Sequence, residues 1–286
     1  MVHRKCLYRS DMKLAAFDYV AAKSVEQAVA LHASAADAAR YLAGGQSLLA
    51  ALSFRLDTPT LLIDIGRIAE LKGVRRDGDC IVIGTTTCHA EIARDPLIAR
   101  HLPLIAEAVA EVAHPAIRNR GTFGGSIALA DPAAEMPACA LALSAVMVVQ
   151  GPEGERRIAA DAFFLGSYET AMQPGELLTR VEIPIPPAGA RHGFAEIARR
   201  RGDYAMAGLA MMHGPKPRIV WFALSDRPVR ARAAEAALEA GKDDDDVAAR
   251  ATEGVPVFGD ANATEAMKRH LARQLLARTL RGLAGK

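Results

Sequence analysis

The sequence is short of the features that mark several common functional classes. Only four cysteines occur among 286 residues, and no two of Cys6, Cys80, Cys88 and Cys139 form a C-x-x-C pair. That excludes the usual thiolate frameworks for an iron–sulfur cluster or a structural zinc within this chain. Scattered thiols also suit a reducing compartment, so a cytoplasmic location is expected. A surplus of one charge sign is missing too: 35 Lys and Arg stand against 33 Asp and Glu, a formal +2. A protein built to grip nucleic acid needs a concentrated basic face, which this balance does not supply. No apolar run reaches the roughly 18 residues expected of a membrane span. The opening MVHRKCLYRSD is basic but has no apolar h-region, so it does not read as a signal peptide. Lying before Met12, it is expected to be a tag, a misassigned start or a disordered extension.

What is present is the composition of a soluble globular protein, 51% apolar and 24% charged, in a chain long enough for two or three domains. The first segment reads strand (17–20), helix (25–33), strand (40–43), helix (48–56), strand (60–65). Ser24 and Gln27 form an expected capping box, and helical crossovers imply a small parallel sheet. A hairpin follows with Asp77-Gly78 at its tip, then a helical stretch broken at Pro96 and Pro103. A second hairpin turns at the PEGE of 152–155, and GELLTRVEIP reads as a strand. The proline-rich IPIPPAGA (183–190) marks a domain boundary. Beyond it come three strands and then helices over about 228–240, 244–253 and 262–282. The acidic run 243–246 reads as a solvated helix start, where carboxylates suit the helix dipole.

Two glycine pairs carry the chemistry. AGGQS (43–47) sits between a strand and a helix. Glycine tolerates positive φ and lets a ligand approach the backbone, and successive N–H groups in such a turn converge on an anion. The plainer reading is a tight strand-to-helix turn capped by Ser47. TFGGS (122–126) repeats the pattern, and a diphosphate has oxygens enough for two loops. Neither loop fits G-x-G-x-x-G or a P-loop, so neither a Rossmann site nor a P-loop ATPase is supported. ADPAAEMP (130–137) then brings Asp131 and Glu135. Asp131 reads as a helix cap with Pro132 at the first helical position. Glu135 is a candidate for sugar hydroxyls.

In order along the chain, AGGQSLL, LLIDI, IRNRGTFGGSIALADPAAEMPA, GELLTRVEIP, RRRGDYAMAG and PVRARAAEAAL resemble the FAD-binding medium subunit of the molybdenum hydroxylases, the xanthine dehydrogenase family. The likeness is greatest to the separate-chain members such as carbon monoxide, nicotine and caffeine dehydrogenases. It spans about Lys13 to Leu283. It implies an α+β fold: FAD-binding subdomains over 12–65 and 66–187, then a C-terminal domain over 188–286 with a three-stranded antiparallel sheet and a helical bundle.

The resemblance also implies roles. Ala43, Gly44, Gly45, Gln46, Ser47 and Leu48 would wrap the FAD pyrophosphate from one side. Thr122, Phe123, Gly124, Gly125 and Ser126 would wrap it from the other. Glu135, where many relatives have Asp, would hold cofactor hydroxyls. Ser126 stands in place of a frequent Asn and keeps a donor and an acceptor. Leu178 would lie near the cofactor. Tyr204 would lie by the flavin ring, against the alternative of ordinary strand packing. His89 reads as a surface or capping residue rather than a base, and His114 as a residue that could approach the cofactor. Arg199, Arg200 and Arg201 read as a solvated strand end, and Cys88 and Cys139 as core residues.

The expected partners are a large subunit with the molybdenum cofactor and a small subunit with [2Fe–2S] clusters, as a dimer of heterotrimers. No protein residue here need act as acid, base or nucleophile. A free-standing flavin oxidase and a flavin-binding assembly module without redox role are the alternatives.

Overall fold

Apolar residues spaced for one helical face, set between short apolar strands, build the first layer. The computed structural model describes residues 14–35 and 38–284; the expectations for residues 1–11 and for Cys6 lie outside the described residues. The elements are β1 (Asp18–Ala21), α1 (Val25–Ala35), β2 (Ala39–Leu42), α2 (Leu48–Ser53) and β3 (Leu61–Asp64). The strands form a parallel sheet in the order β1-β3-β2. Helix α1 buries Val25, Ala28 and Val29, an i, i+3, i+4 stripe. The capping box is stretched by one residue. Ser24 Oγ accepts the Gln27 N–H at 3.2 Å, but Gln27 Oε1 accepts from Lys23 rather than Ser24.

The second layer contains β4 (Val74–Asp77), β5 (Cys80–Gly84), α3 (His89–Ile92), α4 (Pro96–His101), α5 (Pro103–Glu111), α6 (Pro115–Arg118), α7 (Phe123–Leu129), α8 (Glu135–Ala142), β6 (Val146–Gly151), β7 (Gly154–Ala159), α9 (Ala160–Phe163), β8 (Phe164–Gly166), β9 (Glu169–Thr170) and β10 (Leu177–Pro184). Pro96 and Pro103 each open a new helix, where the missing N–H costs nothing. An antiparallel sheet in the order β4-β5-β10-β6-β7 carries the helices on its buried face.

The third layer holds β11 (Arg191–Ala198), β12 (Ala205–His213), β13 (Arg218–Phe222), β14 (Val229–Arg230), α10 (Arg232–Glu239), α11 (Asp244–Ala249) and α12 (Glu265–Ala284). The three long antiparallel strands expected here are present, and β14 adds a two-residue edge. That edge explains why the helix expected from 228 starts at Arg232: Val229 and Arg230 pair with Trp221 and Val220. Strand period two divides the faces. Leu209, Met211, Ile219 and Trp221 pack with Leu275 and Leu276 of α12, while Phe194, Ala210, Val220 and Phe222 join the core of the second layer. Asp243 caps α11 through the Asp246 N–H at 2.8 Å, as the acidic run suggested. Among the described residues no helix is long and apolar enough to cross a membrane.

Candidate functional site

The turn from β2 into α2 contains the first glycine pair. Gly45 has φ +73°, a left-handed conformation that favours glycine. Gly44 is needed for a different reason. A Cβ there would lie 2.2 Å from the Arg120 carbonyl oxygen and 2.8 Å from Gly121 Cα. The first glycine loop is thus in backbone contact with Arg120 and Gly121, which lead directly into the second, some eighty residues later in the chain. The Gln46 amide donates to the Gly44 carbonyl at 3.1 Å. Ser47 stands at the N-cap of α2, but its hydroxyl makes no capping bond. No hydrogen bond joins the N–H groups of Gly44 through Leu48 to another described residue. The first loop therefore presents a run of unspent donors, the requirement for an anion cradle.

The second loop is built in the opposite way. Thr122 caps α7, its Oγ1 accepting the Gly125 N–H at 3.1 Å. Phe123 N–H donates to Thr87 O at 2.9 Å, Gly124 N–H to Thr85 O at 3.0 Å and Ser126 N–H to Thr122 O at 3.1 Å. These backbone donors are committed within the protein, and the hydroxyls of Thr122 and Ser126 are what the loop has to offer. Phe123 is wholly buried in the core. At Gly124 a Cβ would meet Thr85 Oγ1 at 1.7 Å and Thr85 Cα at 2.5 Å. The anchoring strip Thr85–Thr87 is buried, with Thr86 tied to Leu71 O and Thr87 Oγ1 to Gly73. Sequence reasoning missed it. The available signal was three hydroxyl residues directly after the apolar β5.

Carboxylates gather beside the second loop. Glu135 opens α8, and burial, with the charges of Asp131 and Glu111, pushes its carboxyl up to about 7. Asp131 does not cap this helix. Its Oδ1 accepts the Ala133 N–H at 2.9 Å in the preceding turn, and the helix starts four residues later than Asp131, not at Pro132. Glu196 of β11 was not singled out by its sequence, where it is a lone acid in FAEIA. Burial, then the charges of Glu135 and Glu111, push it up to about 8, and its Oε2 is buried without a hydrogen-bond partner.

Leu178 is buried in β10 beside a register shift of that strand. Tyr204 is not packed as a strand residue: it precedes β12 and stands 67% exposed. His89 is a correction to the surface reading. It is buried, desolvation and the Arg118 charge hold it down at about 4, and its Nδ1 has no partner. It lies at the seam: a Cβ on Gly121 would sit 3.3 Å from His89 Cδ2 and 3.6 Å from Gln46 Cγ. His114 is exposed and borders Gly202, not the glycine loops. Arg201 Nε is 3.9 Å from Glu111 Oε2. Cys139 is buried and Cys88, half-buried, caps α3.

Unspent amides against two hydroxyls, with a buried neutral histidine behind them, fit a diphosphate-bearing nucleotide. Residues 15–186 match the family model described as the FAD binding domain in molybdopterin dehydrogenase. The chain belongs to the FAD-binding medium subunits of the molybdenum hydroxylases. Residues 192–283 match the CO dehydrogenase flavoprotein C-terminal domain. In this family, the 6-hydroxypseudooxynicotine dehydrogenase complex subunit alpha of Paenarthrobacter nicotinovorans is 45% identical over 199 residues, covering 70% of this chain and 67% of that one. The carbon monoxide dehydrogenase medium chain of Hydrogenophaga pseudoflava is 41% identical over 196 residues, 68% of each. A solved carbon monoxide dehydrogenase from that organism, lacking the Mo-pyranopterin moiety of its cofactor, superposes with a TM-score of 0.89 at 37% identity, covering 93% of this chain and 96% of its own. The family relatives are dehydrogenase subunits, so this chain is the FAD-binding oxidoreductase subunit of such a complex.

Proposed function

We propose that this chain accepts electrons from [2Fe–2S] clusters on a small partner subunit and passes them to a final acceptor. Substrate hydroxylation then falls to a large subunit with the molybdenum cofactor, the whole forming a dimer of heterotrimers. Bound FAD supplies the ability to hold one or two electrons, which suits a junction between one-electron clusters and a two-electron acceptor.

The observation that carries this reading is the run of unspent N–H groups from Gly44 to Leu48, set where Gly44 meets the Arg120–Gly121 backbone that leads into the Thr122–Ser126 loop. The protein's own contribution is binding and orientation. The first loop donates amides to the pyrophosphate, and Ser47 adds its hydroxyl. Thr122 and Ser126 add hydroxyls from the other side, while Phe123, Gly124 and Gly125 fix that loop to the core. Glu135 takes cofactor hydroxyls, Leu178 backs the site with apolar surface, and Tyr204 shields the flavin ring.

Gly44→Ala tests the cradle. Its Cβ meets backbone, not a movable side chain, so the loops must part. The variant should purify folded but without the visible flavin absorption of the wild type. Full FAD occupancy in Gly44→Ala would show that the seam between the loops does not hold the cofactor. For the electron-transfer role, substrate should bleach the flavin only when both partner subunits co-purify; bleaching by the isolated chain would instead make it a free-standing oxidase.

A further inference from the structure

The two glycine loops hold no positive charge of their own. Residues 43–48 and 122–126 contain no Lys, Arg or His. Amide dipoles and hydroxyls solvate a diphosphate but do not neutralise it. A cation for that purpose must come from elsewhere in the fold.

The lead-in to the second loop is where the first loop makes contact. The Arg120 carbonyl oxygen lies 2.2 Å, and Gly121 Cα 2.8 Å, from the place of a Cβ on Gly44. This backbone is fixed from both sides. The N–H groups of Arg120 and Gly121 donate to Ile117 O at 3.1 and 2.7 Å, and the His89 N–H donates to Gly121 O at 3.0 Å. The Cys88 thiol donates to the Arg120 carbonyl at 3.8 Å. The root of the Arg120 side chain is therefore placed by the contacts that form the seam.

Three other basic groups on the segments around this lead-in are already engaged or uncharged. Arg118 Nη1 donates to the carbonyls of Val112 at 2.8 Å and Ala113 at 3.0 Å. Lys72 Nζ is 2.9 Å from Glu91 Oε1. His89 is buried, and desolvation with the Arg118 charge holds it down at about 4, so it is neutral at physiological pH. Arg120 differs from all three. It is exposed, and no hydrogen bond or ion pair joins its guanidinium to another described residue. A guanidinium on a fixed backbone suits phosphate, which it binds through two parallel N–H···O bonds.

We infer that Arg120 is a further cofactor-binding residue, pairing with the FAD pyrophosphate and supplying the positive charge that the two glycine loops lack. This rests on the reading of the seam as the cofactor cradle. In sequence Arg120 is the second arginine of IRNRGT, and nothing there separates it from Arg118. The carbonyl partners of Arg118 make the distinction.

The full complex, stripped of FAD and titrated with it, gives the test. Because Arg120 is exposed, its variants should keep the wild-type Tm. Arg120→Gln should weaken FAD binding roughly three- to tenfold, and Arg120→Glu should weaken it further. Arg120→Lys keeps the charge without the fork and should retain part of the affinity. The gap between wild type and Arg120→Gln should narrow from about 0.05 to 0.5 M KCl, as salt screens an exposed pair. Riboflavin has no phosphate, so its affinity should be the same in both proteins. Equal FAD affinity in wild type, Arg120→Gln and Arg120→Glu would overturn the inference. So would a gap that ignores KCl, or riboflavin weakened as much as FAD, since Arg120 would then shape the site without pairing to phosphate. Gly44→Ala separates this from the underlying reading. If it loses FAD while the Arg120 variants bind normally, the role of Arg120 alone fails. If it keeps full FAD, the cradle reading fails and Arg120 with it.

Discussion

Replacing Gly124 with alanine puts a methyl carbon 1.7 Å from Thr85 Oγ1 and 2.5 Å from Thr85 Cα. Rotating the threonine side chain relieves the first contact and leaves the second. Thr85 itself has nowhere to go. It is buried, its carbonyl accepts the Gly124 N–H at 3.0 Å, and its own N–H donates to Thr179 of β10 at 3.1 Å. The strand end or the loop must shift. Overpacking a well-filled interior costs about 1–3 kcal/mol, which for a protein of this size is a fall in Tm of roughly 2–10 °C. The moving part is the loop that supports the cofactor cradle, so FAD content should fall with stability. The control is Gly282→Ala in α12, where an added Cβ meets no heavy atom within 4 Å. There the helix should gain up to about 1 kcal/mol. Thermal unfolding by circular dichroism and the ratio of flavin to protein absorbance measure both effects. A Gly124→Ala protein with wild-type Tm and wild-type FAD content would refute the close-approach argument.

Two further outcomes are expected. Glu135 titrates near 7 in the folded chain, above its value in the unfolded one. Its contribution to stability is therefore complete below the unfolded pKa and is lost as pH rises through 7. At about 1.4 kcal/mol per pKa unit, Glu135→Gln should remove at most ~3 kcal/mol of pH-dependent destabilisation between pH 4.5 and 8. Denaturant melts of flavin-depleted protein at several pH values measure it, and parallel pH profiles for variant and wild type would contradict it. Tyr41→Phe removes the hydrogen bond from β2 to the Gly175 carbonyl (2.8 Å), which ties the first sheet to the second layer. It should cost about 1 kcal/mol and weaken FAD binding by up to about tenfold, although Tyr41 is outside the cradle. An unchanged FAD dissociation constant would count against that coupling.

The parts of this molecule that were legible in its sequence are those coded locally. Val25, Ala28 and Val29 announce a helix by spacing, and Pro96 and Pro103 announce helix starts by chemistry. The glycine pairs at 44–45 and 124–125 pointed to close approach, but not to what approaches. Gly44 and Gly124 make room for the Arg120 carbonyl and for Thr85, partners that only the folded chain brings near. The same distance in sequence hid the commitment of the second loop's amides to Thr85 and Thr87. His89 lies in a helix too short to show an apolar face, so its burial carried no pattern. A two-residue strand such as β14 has no period to detect, and Glu196 acquires meaning only through its nearness to Glu135.

The seam at Gly44 makes the cofactor a cross-tie between separately built layers. Its donors hang from a three-stranded parallel sheet, and the hydroxyls opposite hang from an antiparallel one. A ligand held by both can only bind well when the two are docked. By linkage, its binding free energy is then also docking free energy, available in proportion to the logarithm of its concentration over Kd. FAD supply would thus govern how firmly the chain is assembled as well as whether it can carry electrons.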